Sequence, residues 1–474
     1  MAGSHHRFRA RLAAALVAGL ALAAVFAGAQ EGNAKTEERL EALERQVEAL
    51  RAELREARAA AEPAGRAGAA DESAGARLDE LERRIERIAS ELETMRLGEA
   101  AVEADESRHG LGPAASKVYR QAKGVSIGGY GEMLYQGPSG TRDDGSASGR
   151  ADELDFLRAV VYFGYKWNDQ WLFNSELEWE HADVESGGDA AVEFAYVDRL
   201  IRPEVNARAG LLLVPMGLVN ELHEPTVYLG ARRPGVESAI LPTTWRENGL
   251  GVFGELGPVS YRSYVVNGLD AEGFRAAGLR GGRQKGSKAK AEDLAWVTRV
   301  DWTALPGLLA GGSVYLGGSG QGIAGADGRE LGVDTTIVEA HVDWQWRGLQ
   351  LRGLWAQAEL DDVAALNGAL GLTGSASVGE RLSGSYLEAG YDVGRHLFAG
   401  GDALVPFARF ERYDTQERVP AGFLTNPAND VEILTLGLSW KPLEQLVVKA
   451  DWQDVDNAAG TGVDQFNLGL GYVF

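Results

Sequence analysis

The sequence predicts an all-β fold, a sixteen-stranded antiparallel transmembrane β-barrel of the porin type, preceded by a short α-helical coiled coil. Three observations predict it. From Gly124 onward, segments of about ten residues alternate apolar and polar side chains and end in turn residues. The last of these segments is apolar on one face and closes on Phe474. The N-terminus has the pattern of a secretory signal peptide.

The first 29 residues are basic at their start and then apolar. Arg7, Arg9 and Arg11 precede an apolar run over residues 12–26, and small residues follow at 27–29. This order predicts a signal peptide over residues 1–29. The alternative is an N-terminal membrane anchor, but the run is shorter than the roughly 20 residues that a spanning helix needs.

Residues 30–98 are predicted to form a periplasmic coiled-coil stalk. Apolar residues three and four positions apart recur in two runs, at 40, 43, 47, 50 and 54 and at 78, 81, 85, 88, 92 and 95. This spacing is the a/d seam of a coiled coil. Each run is short, so the coil needs copies held together by an oligomeric body. A solvated single helix or a disordered leader is the alternative. Residues 99–123 are predicted to be a polar, flexible linker.

The barrel is predicted over residues 124–474. In its third strand, Trp171 and Trp179 lie on one face and Glu176 and Glu178 on the other. Charges in mid-strand favour a water-filled interior, and aromatic side chains at strand ends favour a lipid-facing wall. An even strand number, with connections alternating between short and long, places both termini in the periplasm. The strands are predicted at 124–136, 153–166, 170–182, 190–202, 204–214, 248–256, 258–269, 292–303, 307–317, 333–346, 349–360, 382–394, 403–414, 431–441, 444–455 and 463–474.

The last strand carries the sharpest motif. Five apolar side chains share one of its faces and end at the last residue: Phe466, Leu468, Leu470, Tyr472 and Phe474. Such a strand resembles the signal by which the barrel assembly machinery recognises outer-membrane barrels. Together with the signal peptide, it predicts a bacterial outer-membrane protein whose partners are that machinery, outer-membrane lipid and lipopolysaccharide.

Composition and motifs argue against several other classes of function. The formal net charge is −22, whereas a nucleic-acid partner needs a basic face. The absence of cysteine leaves no disulfide framework, thiolate metal site or cysteine nucleophile. The seven histidines do not cluster with a nucleophile or a metal-binding motif. The sequence therefore predicts no enzyme, no cofactor and no metal site.

Alternation also predicts the charges that line the interior. The predicted pore wall is made of Arg158, Glu176, Glu178, Arg199, Arg208, Arg262, Arg299, Glu339 and Asp343. Arcs of fixed charge select ions in aqueous pores. For any one residue, a salt bridge that only stiffens the barrel is the alternative. A surface loop over residues 274–290 carries basic residues and no acid. Three interpretations are open: the loop gathers anions at the pore mouth, binds lipopolysaccharide, or is simply solvated.

Three segments carry a resemblance to a known family. DELDFLRAVVYFGYKWNDQWLFNSELEWEHA, RPEVNARAGLLLVPMGLVNELHEP and PTTWRENGLGVFGEL resemble the phosphate-selective (O/P type) porins. The likeness spans about residues 124–474 and is most specific over 152–269. It implies a homotrimer of sixteen-stranded barrels that pass small anions. The stalk resembles the periplasmic extensions of some sugar-specific porins.

The longest predicted surface connection, residues 215–248, mixes aliphatic, aromatic and charged residues, and a loop of this length needs a function. In sixteen-stranded porins the third loop folds inward, and this loop has the same ordinal position. The resemblance therefore assigns the pore constriction to it. A loop that caps the barrel or latches onto a neighbouring subunit is the alternative. The candidate constriction residues are Glu221, His223, Glu224, Arg232, Arg233, Arg246 and Glu247.

The predicted function is that of a porin, a passive diffusion channel for ions and small hydrophilic solutes. Acids and bases are balanced in the third loop, so the residues themselves leave the choice between anions and cations open. The alternative function is structural: the barrel would anchor a coiled coil that tethers or spaces the envelope, with peptidoglycan as a partner.

Overall fold

The computed structural model describes residues 107–121, 123–398 and 401–474, together with ten positions nearer the N-terminus. Those ten positions are all helical: 42, 45, 46, 48, 49, 50, 52, 53, 83 and 84. The predicted signal peptide lies outside the described residues, as does most of the predicted coiled coil, which stays a prediction. Within the part of the chain that the structure describes, no helix is long and apolar enough to span a membrane.

The barrel is closed and has sixteen antiparallel strands, each paired with its neighbours in sequence, and β1 pairs with β16. This confirms the predicted strand number and order. The largest difference in bounds is at β13, which extends to Arg418 because its pairing with β12 continues beyond a bulge. The strands are β1 Gly124–Pro138, β2 Glu153–Asn168, β3 Trp171–Glu180, β4 Asp189–Arg202, β5 Val205–Leu213, β6 Arg246–Leu256, β7 Val259–Asn267, β8 Leu294–Trp302, β9 Leu308–Gly317, β10 Thr335–Trp346, β11 Leu349–Leu360, β12 Arg381–Tyr391, β13 Ala403–Arg418, β14 Asp430–Leu443, β15 Leu446–Asn457 and β16 Gln465–Val473.

The connections differ between the two ends of the barrel. One end, here called the turn end, has connections as short as residues 169–170 and 257–258. The other, the loop end, has the longest connections, residues 214–245 and 268–293. The described helices are short: α1 Lys117–Arg120 precedes β1, α2 Val236–Ala239 follows β5, α3 Val363–Ala369 follows β11, and α4 Gly394–Leu397 follows β12.

The outer face of the barrel is apolar and exposed. Along β8, Leu294 and Trp296 are 56% and 42% exposed, whereas Arg299 and Asp301, which point inward, are 3% and 2% exposed. In the other described strands most charged side chains also lie inside, together with aromatic residues such as Tyr162 and Tyr264, whereas the outer face is mainly apolar. An apolar surface that surrounds a closed barrel is the kind that a lipid bilayer covers.

A bulge in β4 reverses the alternation on which one prediction rested. Glu193 and Phe194 are adjacent yet both buried, at the point where the register with β3 shifts. Beyond the bulge Asp198 points inward, so Arg199 faces outward, with its guanidinium carbon 5.3 Å from the centroid of the Trp171 ring. The prediction that Arg199 lines the interior is therefore wrong, because a slip of one residue turns every later side chain to the opposite face.

The last strand closes the barrel by pairing with β1, and Phe474 continues this pairing by one residue. The backbone N–H of Phe474 donates to the carbonyl of Gly129 over 2.9 Å, and Gly129 donates back over 3.0 Å. The apolar side chains of the predicted assembly signal alternate with buried inner positions such as Gln465 and Asn467, and so lie on the outer face. Their recognition during assembly stays a prediction.

Replacing Phe474 by serine should lower the yield of folded barrel several-fold, because the strand keeps its backbone pairing but loses the terminal aromatic ring. The shift in gel mobility between heated and unheated samples measures that yield. Tyr391→Ser is the matched control, since Tyr391 is also an aromatic residue at the turn end and is similarly exposed, 40% against 36%. Equal yields from the two variants would contradict the assembly signal.

Candidate functional site

The connection between β5 and β6, residues 214–245, lies inside the barrel; it is called the third loop below. Most of its side chains are buried, and Trp245 near its end is 1% exposed. The backbone N–H of Gly235 donates to Glu411 on β13 over 2.6 Å, and that of Ala231 donates to Asp451 on β15 over 2.6 Å. Because β13 lies opposite β5 and β6 in a ring of sixteen strands, the loop crosses the interior from wall to wall.

A buried carboxylate fixes the middle of the third loop. Glu237, in α2, is fully buried and accepts hydrogen bonds from the backbone N–H of Val219 and from the Tyr386 hydroxyl on β12, both over 2.7 Å. Basic side chains of the wall hold other parts of the loop: Arg352 donates to the carbonyl of Val227 over 3.0 Å. Side chains on the inner face of the wall thus hold the third loop in place.

The loop residues predicted as a constriction do not lie together: Arg232 and Arg233 lie at the loop end, and Glu221, His223 and Glu224 lie toward the turn end. Toward the turn end, each acid has a partner. Glu221 Oε2 lies 3.2 Å from Arg262 Nε, and His223 Nε2 lies 3.0 Å from Glu176 Oε1. Glu224 accepts hydrogen bonds from two backbone N–H groups of the segment that precedes the barrel. These residues lie inside the barrel, but their charges are used in local contacts.

Two of the predicted loop residues belong to β6 instead. Arg246 begins that strand and lies 2.5 Å from Glu193 on β4. Glu247 is fully buried and accepts hydrogen bonds from the Asn267 amide over 2.6 Å and from the backbone N–H of Gln284 over 2.9 Å. Their assignment to the loop is wrong because strand pairing with β5 continues to Leu213 and Arg246.

The predicted wall residues other than Arg199 lie on the inner face, where they form ion pairs. The shortest contacts are those of Arg158 with Glu178 (3.0 Å), Arg208 with Asp198 (2.8 Å), Arg262 and Arg299 with Asp301 (2.5 and 2.9 Å), Glu339 with His341 (2.5 Å) and Arg352 with Asp343 (2.5 Å). Sequence reasoning missed Asp301, which bridges two arginines and His341. Its position two residues after Arg299 was the available signal, since such residues share a face of a strand.

Arginines collect at the loop end and form a basic cluster: Arg142, Arg150, Arg232, Arg233, Arg280 and Arg283. Among the described residues, no carboxylate lies within 4.0 Å of any of these guanidinium groups. Arg233 instead donates to Thr244 Oγ1 and to the carbonyl of His223, both over 3.2 Å. The cluster therefore carries positive charge that no ion pair cancels.

The arginines of this cluster are close enough to affect one another. Burial, and next the charge of Arg150, lower the pKa of Arg232. Burial and then Arg233 lower the pKa of Arg280, and burial and then Arg280 lower that of Arg283 to about 10. The guanidinium groups therefore repel one another, and a bound anion would reduce this repulsion.

Cavities near the two ends of the described barrel differ in the charge of their lining. A cavity of about 570 Å³ near the loop end is lined by four arginines of the basic cluster and one acid, Glu411, which pairs with Arg409 over 2.8 Å. A larger cavity of about 960 Å³ near the turn end is lined by Glu221, Arg262 and Asp301, which are paired with one another. The loop-end cavity therefore has the more positive lining.

Comparison with known proteins assigns the chain to a family. No family model matches it. An uncharacterized protein of Aquifex aeolicus strain VF5 is 38% identical over 391 residues, which cover 80% of this chain and 87% of that protein. The chain belongs to that protein's family. The member described here has a fold like that of the porin OmpF, with a TM-score of 0.50.

Two solved structures illustrate the likeness in fold. OmpF of Salmonella typhi, in complex with daunomycin, is 12% identical and has a TM-score of 0.50, with coverage of 75% of this chain and 99% of that one. A mutant of the Rh. blastica porin is 12% identical and has a TM-score of 0.42, with coverage of 74% and 100%. At these identities the likeness to OmpF describes the fold alone.

Proposed function

We propose that the chain is an outer-membrane porin, a channel through which ions and small hydrophilic solutes diffuse. The observation that carries the proposal is a closed barrel with an apolar exterior, a charged interior and cavities near both ends. Such a barrel meets lipid with its outer face and water with its inner face. The signal-peptide pattern and the apolar last strand support an outer-membrane location with the turn end in the periplasm.

The third loop is the proposed constriction. Support comes from its path across the interior and from its hydrogen bonds to β12, β13 and β15, which hold it away from the mouth. A homotrimer is proposed on the sequence resemblance to porins. The tethering alternative depends on the predicted stalk, most of which lies outside the described residues, and it stays a prediction.

Recording of the purified chain in planar lipid bilayers tests the proposal. Stepwise, ohmic increases in current on insertion are expected. A folded protein that inserts without conducting would overturn the porin function and leave the anchoring alternative.

The basic cluster supports a preference for anions within this function. Four of its arginines line the loop-end cavity, where a solute would enter, and they have no acid partner. Positive charge at a narrow entrance raises the local concentration of anions and repels cations. The acidic net charge of −22 belongs to the whole chain, whereas selectivity depends on the charges that face the path.

Replacing Arg232 and Arg233 by glutamine should shift the reversal potential in a salt gradient toward cation preference. The native chain is expected to prefer anions, because all the arginines of the basic cluster are present in it. Arg412→Gln with Arg418→Gln is the matched control, since both lie at the loop end of β13 and are paired with acids, Arg412 with Glu432 and Arg418 with Glu380. A native chain that prefers cations would contradict the anion assignment.

A further inference from the structure

The segment that precedes the barrel, residues 107–121, enters its interior; it is called the lumenal segment below. Ser107 and His109 line the turn-end cavity together with the turns at 169–170 and 257–258. Leu111 and Val118 are only 2% and 1% exposed. The chain therefore rises from the turn end into the barrel and returns to the turn end, where β1 begins. Its polar composition predicts a flexible linker, and nothing in the sequence indicates this packing.

Tyr119 fixes the lumenal segment to the wall. Its hydroxyl donates to Asp198 Oδ2 on β4 over 2.7 Å and accepts from Arg208 Nη2 on β5 over 2.7 Å. Arg208 and Asp198 are also joined directly, over 2.8 Å. When Tyr119 leaves, this pair stays intact, so loss of the Tyr119 hydroxyl leaves neither Asp198 nor Arg208 as an unpaired buried ion.

Backbone groups of the lumenal segment are held from two sides. The Asn174 amide on β3 donates to the carbonyl of Ala115 over 2.9 Å. On the other side, Glu224 of the third loop accepts from the backbone N–H groups of Ala114 and Ala115 over 3.1 and 3.2 Å. The segment is therefore fitted between the wall and the third loop, and it occupies space beside the proposed constriction.

The wall has glycines where the segment lies against it. A Cβ atom at Gly164 on β2 would lie 2.7 Å from Val118 Cγ2, and one at Gly128 on β1 would lie 2.9 Å from the carbonyl oxygen of Ala114. Both distances are shorter than ordinary contacts between carbon and these atoms. Side chains are thus missing from the inner face at the positions where the segment needs room.

We propose that the lumenal segment is a gate of the channel, docked in the interior in the structure described here and able to leave it through the turn end. The inference rests on the proposed porin function. Docked, the segment fills the part of the interior next to β1 to β5 and leaves a narrow path. Undocked, it frees that part for water and solute; water then replaces its hydrogen bonds, and Leu111 and Val118 leave the apolar contacts that bury them.

A reversible disulfide tests the gate in the full chain. The chain has no cysteine, so Val118→Cys with Gly164→Cys introduces one possible pair. The Cβ positions of these residues lie 2.8 Å apart, and a shift of about 1 Å gives the separation that a disulfide needs. Oxidation should hold single channels at one steady low conductance, and reduction should restore excursions to a higher one. Equal conductance and equal excursions in both states would overturn the gate.

Two further variants separate the possible causes. Val118→Cys alone, treated with the same oxidant, should behave like the native chain. Tyr119→Phe removes the hydroxyl but keeps the ring, and it should increase the fraction of time spent at the higher conductance by several-fold; an unchanged fraction would contradict the gate. If no form conducts, the porin function itself fails. If all forms conduct alike, only the gate fails.

Discussion

Replacing residues 216–244 by a short glycine–serine linker should raise the single-channel conductance several-fold. In the native chain the third loop crosses the interior and reaches β13 and β15 on the far side. A barrel of sixteen strands is wide enough to leave an aqueous channel when nothing fills it. Without the loop, the path for ions is set by the wall and the lumenal segment.

The barrel should survive this replacement, because the wall keeps ion pairs that do not involve the loop. Arg262 and Arg299, for example, retain Asp301. The matched control is a linker in place of residues 181–188, a loop-end connection whose side chains are mainly exposed. That control should leave the conductance unchanged. A loop-replaced barrel with native conductance would show that the third loop does not narrow the path.

The strands could be predicted from the sequence because side chains along each strand point alternately to the lipid and to the interior. The pattern of β8, with Trp296 outside and Arg299 inside, repeats around the ring and indicates strand number and closure. It fails at the bulge in β4, where Glu193 and Phe194 both point inward. The bulge leaves no mark in the composition of the strand, so Arg199 is assigned to the wrong face.

The contacts inside the barrel could not be predicted in the same way. Alternation indicates which face of the sheet a strand residue lies on, but it gives no information on the position of a loop. Arg150 and Arg232 lie in different loops and are 82 positions apart in the chain, yet both line the loop-end cavity. The lumenal segment has no periodicity at all, and its position depends on backbone groups such as those of Ala114 and Ala115.

Replacing Arg208 by alanine should lower the free energy of unfolding of the barrel by about 3–5 kcal/mol, the range for breaking a buried ion pair. Arg208 is 4% exposed and Asp198 is fully buried, so alanine leaves a buried carboxylate without its cation. The guanidinium carbon also lies 4.0 Å from the centroid of the Tyr196 ring and 4.6 Å from that of Phe253. These cation–π contacts are lost with it.

Denaturant unfolding in lipid vesicles, followed by tryptophan fluorescence, measures this loss. Arg412→Ala is the control, because Arg412 is 58% exposed and its ion pairs with Asp430 and Glu432 are long, at 3.5 and 3.4 Å; a change below about 1 kcal/mol is expected there. Adding Asp198→Asn to Arg208→Ala should recover part of the loss, since the neutral amide carries no unpaired charge. Equal losses from Arg208→Ala and Arg412→Ala would mean that the interior around Asp198 is hydrated. The ion pairs of the wall would then contribute to selectivity more than to the stability of the fold.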